Sequence, residues 1–239
     1  MNELALFAGT GGGLLGSILL GWTPVCAVEK EPYCREVLLR RQRDGMLPLF
    51  PIWDDIQTFT GDPWRGYVDV VTAGFPCQPY SAAKHGRGNE ASLWKETYQV
   101  ITTVVPKFVF LENVPGVSRD LSGIRNDLQA MGYCVHSPAK IAAACVGAPH
   151  IRERVWVFAH AYGHGEPACA VYDETPRVPP LARVAWWTDW AAFPPLMGDV
   201  DGLAHRMDRL RAIGNGQVPG VVEAAWRLLA AKTKNNKTI

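Results

Sequence analysis

Short apolar runs, each closed by glycine, proline or a polar cluster, alternate with helical spacing through the first two thirds of the chain. Leu4 to Phe7 reads as a first strand, the run Gly9-Thr10-Gly11-Gly12-Gly13 as a turn, and Leu14 to Leu20 as a helix. Val25 to Glu29 predicts a second strand and Tyr33 to Arg43 a second helix, while Ile52 and Val68 to Ala73 mark further strands. Leu93 to Val105 has helical spacing, Lys107 to Leu111 is again a strand, and Leu121 to Met131 a helix. Tyr133 to Ala142 and Val155 to His160 predict two more strands. Strands alternating with helices argue for an α/β fold, an open and mostly parallel sheet with helices on both faces. Such sheets bind ligands beyond the carboxyl ends of their strands.

Periodicity fades after Ala161, where Pro167, Pro176, Pro179, Pro180, Pro194 and Pro195 crowd together with Trp186, Trp187 and Trp190. It returns in a last helix from about Gly220 to Ala231, with Val222, Ala225, Trp226 and Leu229 on one face. The pattern divides the chain into a main unit over 1–161, a short irregular region over 162–205, and a segment over 206–239 that returns to the main unit. The tail after Lys232 is polar and is expected to fray.

Composition adds little to this picture. The chain has 239 residues, 48% hydrophobic and 20% charged, enough for one substantial domain. A net charge of +1 means that any affinity for nucleic acid must come from a local basic surface. The six cysteines, Cys26, Cys34, Cys77, Cys134, Cys145 and Cys169, show no C-x-x-C spacing and no signal peptide precedes them. They are expected to be reduced thiols of a cytoplasmic protein, forming neither a disulfide framework nor a zinc site. Leu4 to Val28 is uncharged, but its glycine run and the preceding Glu3 favour strand, turn and buried helix over a membrane span.

Chemistry enters at the glycine turn. Glycines between a first strand and a first helix let the backbone approach a ligand closely, and Glu29 at the end of the second strand can accept hydrogen bonds from ribose hydroxyls. Gly11-x-Gly13-x-x-Gly16 satisfies the dinucleotide fingerprint, so at this point NAD and S-adenosylmethionine (AdoMet) are both open as ligands. Asp54-Asp55, before Ile56, can either reach an adenine amino group or cap a helix. Further along, Gly74-Phe75-Pro76-Cys77-Gln78-Pro79-Tyr80 holds a cysteine between two prolines where an apolar strand breaks into a loop, which suits a thiol presented to a substrate. Leu111-Glu112-Asn113-Val114-Pro115 puts a carboxylate at a strand end, Arg152-Glu153-Arg154 opens another strand, and Ile213-Gly214-Asn215-Gly216-Gln217-Val218-Pro219 forms a turn before the last helix.

The order FAGTGG, PCQ, ENV, RER and GNGQVP resembles the cytosine-5 DNA methyltransferases over nearly the whole chain, apart from about Tyr162 to Asp199. The resemblance implies a Rossmann-like AdoMet-dependent methyltransferase fold with a small target-recognition region, and favours AdoMet over NAD. It implies Cys77 as nucleophile, Glu112 as the residue holding the cytosine ring edge, and Arg154 with Arg152 at the ring carbonyl. It places the cofactor against Phe7, Ala8, Gly9, Gly11, Gly12, Glu29, Asp55, Ile56, Pro76, Asn215 and Val218. It implies duplex DNA as partner, met by Gln78, Ser81, Lys84 and Arg87 of a closing loop and by Arg206 and Arg209 of a basic stripe. No metal is implied. His150 stands where the family often has glutamine, and the recognition region is short, so specificity is expected to be relaxed or to need an accessory partner. A monomer in the cytoplasm of a bacterium or phage-infected cell is expected. A related branch that acts on RNA and a catalytically silent nucleic-acid binder remain as alternatives.

Overall fold

The computed structural model describes residues 1–76, 93–116, 121–148, 150–162 and 214–235. Their framework is a twisted sheet in the order β3-β2-β1-β4-β5-β8-β6, with β7 also paired to β8. The parallel half comprises β1 (Asn2–Leu6), β2 (Thr23–Val28), β3 (Ile52–Trp53), β4 (Val70–Ala73) and β5 (Phe108–Asn113). The antiparallel half is built on β8 (Glu153–Ala161), which runs against β5 and pairs with β6 (Tyr133–Val135) and β7 (Ala139–Ala142). The expected mostly parallel sheet is therefore present, with an antiparallel edge.

One predicted strand becomes two. The run from Tyr133 to Ala142 splits at His136-Ser137-Pro138, because proline has no N–H to give the ladder. Both halves still pair with β8, so the split bends the edge without ending it.

The central strands are apolar on both sides because helices cover both faces. On one face, α3 (Trp94–Val104) and α4 (Leu121–Ala130) bury Val100, Ile101, Val104, Ile124 and Leu128 against Leu4, Leu6, Val71, Val109 and Leu111. On the other face lie α1 (Gly12–Leu19), α2 (Pro32–Arg43) and α5 (Pro219–Asn235). The predicted face of the last helix is the one that packs. Val222, Ala225 and Leu229 are buried, and Trp226 meets Phe108, Phe110 and Phe158 edge-on at centroid distances of 5.5, 5.4 and 5.0 Å.

Cys26, Cys34 and Cys145 are buried thiols, as expected, but Cys134 is disulfide-bonded. The absence of C-x-x-C spacing did not exclude that bond, because cysteine pairing cannot be deduced from spacing alone. Beside it, His136 Nε2 lies 3.0 Å from His160 Nδ1, so one imidazole donates to the other. Among the described residues no helix is long and apolar enough to cross a membrane.

Beneath α1, β1 buries a carboxyl group. Glu3 is 1% exposed and accepts a hydrogen bond from Thr72 Oγ1 at 2.7 Å, while its Oε2 finds no hydrogen-bond partner among the described residues. Burial pushes its pKa up to about 7 from 4.5. A raised pKa means that the folded protein holds the proton longer than the unfolded chain, so this contribution is full below pH 4.5 and is lost as pH rises through about 7. Stability should fall by about 3 kcal/mol across that window from this group alone. Urea unfolding of Glu3→Gln between pH 4.5 and 8 should show this slope removed. Parallel curves for the two proteins would contradict the assignment.

Candidate active site

The site forms where β1, β2, β4 and β5 end and the chain must leave the sheet. At the end of β1, Phe7 adopts a φ of +56°, a left-handed conformation costly for an aromatic residue, and Gly9 and Gly11 follow at +55° and +86°. The turn is fastened to β2 by Ala8 N–H donating to Val28 O (3.1 Å) and by Gly9 N–H donating to Glu29 Oε2 (2.6 Å). Glu29 Oε1 accepts the N–H of Glu31 at 2.8 Å. The carboxylate is thus set rigidly beside the glycine turn. Burial raises its pKa, and the two backbone donors oppose that rise.

After β4 the chain passes Gly74, buried Phe75 and exposed Pro76. Asn113, from the end of β5, donates its amide to Phe75 O at 3.1 Å and so anchors the segment that leads into Cys77. Beside it stands Glu112, 7% exposed. Arg154 comes from β8 and brings its Nε to 2.8 Å from Glu112 Oε1. Gln217, in the turn before α5, donates its amide to Glu112 Oε2 at 3.2 Å. Burial raises the Glu112 pKa above the usual carboxylate value; Arg154, Gln217 and Arg152 oppose it. The result is a desolvated carboxyl group with one cation and one neutral donor, able to exchange a proton with a ring held against it.

Arg152, at +33° in φ, turns from the start of β8 to the same turn before α5, donating to Gly214 O at 2.8 Å and also to Gly216 O. That turn packs against the start of α1. A Cβ on Gly12 would lie 2.1 Å from Gln217 O, and one on Gly13 would lie 2.3 Å from Gln217 Oε1. A single cleft results, lined among others by Phe7, Ala8, Gly9, Gly74, Glu112 and Asn215.

A family model described as C-5 cytosine-specific DNA methylase matches residues 1–178. The chain belongs to this family. Type II methyltransferase M.PspPI of Psychrobacter sp. (strain TA137) is 34% identical over 158 residues, 63% of this chain and 37% of that protein. Type II methyltransferase M.CviJI of Paramecium bursaria Chlorella virus IL3A is 26% identical over 253 residues, 95% of this chain and 62% of its own length. A solved structure of a DNMT2 mutant from Spodoptera frugiperda shares the fold, with a TM-score of 0.57 at 20% identity over 75% of this chain and 55% of that one. The chain thus spans between 37% and 62% of the two curated relatives named.

Set against the residues expected for such a methylase, the structure gathers Phe7, Ala8, Gly9, Glu112 and Asn215 around one cleft, with Glu29 bonded to its turn. Others also hold the frame. Gly11 caps α1 and the place a Cβ would take faces Leu38; Gly12 admits the Gln217 backbone; Ile56 is core; Val218 packs beneath α5. Asp55 is held by Lys30 Nζ at 3.0 Å and by the N–H of Gln57 at 3.0 Å, a turn contact rather than the helix cap considered as its alternative. The Gln57 N–H first, then Lys30, keeps its pKa low. Arg154 stands on Glu112, whereas Arg152 serves the turn. His150 is exposed, and partial burial with the Arg152 cation lowers its pKa, so the imidazole is mostly neutral near pH 7. Cys77, Gln78, Ser81, Lys84, Arg87, Arg206 and Arg209 lie outside the described residues, as does the region expected to carry target recognition beyond Tyr162. Three residues at the site had no individual role in the sequence: Gln217, Asn113 and Gly74. Each lies inside a motif of the sequence, Gln217 in GNGQVP, Asn113 in ENV and Gly74 just before Phe75-Pro76-Cys77, which is the available signal.

The packing of α1 on the turn before α5 can be tested without substrate. Gly12→Ala should lower stability by about 1–3 kcal/mol, since its methyl meets a backbone carbonyl. Gly123→Ala, on an exposed turn of α4 with nothing within 4 Å of the added carbon, should raise it by about 0.5–1 kcal/mol. Thermal unfolding of the two variants beside the parent reads both signs, and a neutral Gly12→Ala would show that the turn yields.

Proposed function

We propose that the chain is an AdoMet-dependent DNA methyltransferase acting on carbon 5 of cytosine in duplex DNA. The observation that carries this reading is Glu112. It is a buried carboxyl group paired with Arg154, at the strand ends, beside the segment that leads into Cys77 and within one cleft with the glycine turn. Family membership supports the same reading.

The residues present fit the cofactor. Gly9 has nothing within 4 Å of the place a Cβ would take, so the turn offers backbone and open space, and Glu29 stands next to it with acceptor capacity left on both oxygens. Glu29 would hold ribose hydroxyls, Asp55 with Ile56 would meet the adenine, and Phe7, Ala8, Gly9, Pro76 and Asn215 would line the rest. AdoMet supplies the electrophilic methyl carbon.

Carbon 5 of cytosine is a poor nucleophile, so the ring has to be activated. Cys77, as thiolate, adds to carbon 6 and shifts electron density toward carbon 5. A free thiol has a pKa of about 8.5, so it needs a nearby cation or donor to ionise at neutral pH. Glu112 holds the ring at nitrogen 3 and the amino group, and shares its proton as charge develops there. Arg154 keeps the Glu112 carboxyl oriented, and Arg152 steadies the turn behind the cofactor cleft. After the carbon 5 proton leaves, the thiol is eliminated. These ring atoms are reachable only once the base leaves the stack, at a cost of a few kcal/mol. The loop holding Gln78, Ser81, Lys84 and Arg87 would close on the DNA, while Arg206 and Arg209 would meet phosphates.

We assign catalysis and cofactor binding to 1–161, target recognition to 162–205, and the closing segment to 206–239. A monomer in the cytoplasm of a bacterial or phage-infected cell, with an accessory specificity partner where the short recognition region is insufficient, completes the reading.

Duplex DNA carrying 5-fluorocytosine tests it, because fluorine cannot leave carbon 5 and the cycle stalls with the thiol attached. A slow band on a denaturing gel should appear with AdoMet and be absent for Cys77→Ser. A trap on folded RNA alone would move the substrate class, and no trap on DNA of varied sequence would overturn the reading.

A further inference from the structure

Glu112 is the group on which the proposed chemistry turns, and one of its oxygens is held by a residue that no motif role assigns. Gln217 lies in the turn before α5, and that turn has little freedom. Arg152 holds the carbonyls of Gly214 and Gly216, while Gly12 meets the Gln217 backbone within a distance that excludes any side chain. The side chain is confined as well. A Cβ on Gly13 would lie 2.3 Å from Gln217 Oε1, and one on Gly74 would lie 3.0 Å from both Gln217 Nε2 and Glu112 Oε2. Gly13 in the first turn of α1 and Gly74 just after β4 thus leave one slot, and the amide that fills it ends 3.2 Å from Glu112 Oε2.

Resting on the methyltransferase reading, we propose that Gln217 is a positioning residue for Glu112. Its amide crosses between Gly13 and Gly74, holds the carboxyl oxygen that Arg154 leaves open, and so fixes the plane in which Glu112 meets the target base. Arg154 alone would leave the carboxyl free to rotate about the Nε–Oε1 contact. With both oxygens engaged, rotation breaks one bond. The amide is also a donor to the ionised form, so it opposes the effect of burial and keeps Glu112 from holding its proton too tightly. Gln217 lines the same cleft as Phe7, Gly9 and Asn215, so the turn that touches the cofactor side also touches the acid.

Gln217→Met keeps length and bulk but deletes the donor. The Glu112 carboxyl carbon can be followed by carbon-13 NMR in the full chain, assigned by its loss in Glu112→Gln. Its titration midpoint should rise by about one pH unit in Gln217→Met, the effect of losing one hydrogen bond to a charged group. Gly74→Ala, which keeps both partners but wedges a methyl between them, should move the midpoint the same way and carries the test if Gln217→Met does not fold. A midpoint unchanged or lowered in the folded variants overturns the proposal. In methylation assays the pH profile of kcat should move with the midpoint while KM for AdoMet changes less than about threefold, whereas a merely structural role would damage both. The two readings fail separately. A wild type that methylates no nucleic acid, with the NMR shift intact, removes the enzyme assignment and leaves Gln217 in place. Methylation without the shift does the reverse.

Discussion

A carboxylate cannot be taken out of water unpaired, and the geometry around Glu112 follows from that constraint. Removing one partner from a buried ion pair typically costs about 3–5 kcal/mol, because the remaining charge stays desolvated. Glu112 is 7% exposed at the end of β5, so a cation has to arrive from a neighbouring strand. The antiparallel register of β8 on β5 supplies it. Glu112 faces Trp156, which places Arg154 two residues away and lets its Nε reach Oε1 at 2.8 Å. A parallel neighbour would have had to return through a crossover and would begin at the other end of the sheet. The antiparallel edge of this otherwise parallel sheet is what puts a guanidinium at the carboxyl ends of the strands.

The second constraint is closeness. The α1 helix, the turn before α5 and the end of β4 approach one another until a single methyl group would not fit at Gly12, Gly13 or Gly16, where a Cβ would come within 2.1, 2.3 and 2.5 Å of Gln217 or Val222 atoms. The glycine run therefore has two duties. Gly9 and Gly11 provide left-handed backbone for the turn, whereas Gly12, Gly13 and Gly16 have the room-making role for a segment some two hundred residues later in the chain.

That split explains what could be read from the sequence. The strands at Leu4, Val25, Val68 and Lys107, the helices between them and the packed face of α5 were legible because their apolar spacing is local. The pairing of Glu112 with Arg154 was not, since it depends on strand order and direction across 41 intervening positions. Arg152 and Arg154 look equivalent in Arg-Glu-Arg, yet the left-handed backbone at Arg152 sends one guanidinium to the turn and leaves the other for the acid. Gln217 was hidden for the opposite reason. It lay in a motif whose neighbours Asn215 and Val218 already had roles, and only the glycine contacts show that its side chain is aimed.

Three buried carboxyl groups on one sheet show how environment alone assigns duties. Glu3 has a hydroxyl donor and no cation, and its pKa climbs to about 7, so near neutral pH it takes up or releases a proton while 1% exposed. Glu29 is caught between two backbone N–H groups, which favour its charged form and fix it as an acceptor beside the glycine turn. Glu112 alone combines burial with a cation on one oxygen and a neutral donor on the other. Burial makes proton uptake possible, and the two partners keep it reversible. A group balanced in that way can hold a ring in either protonation state, which neither of the other two can do from where they stand.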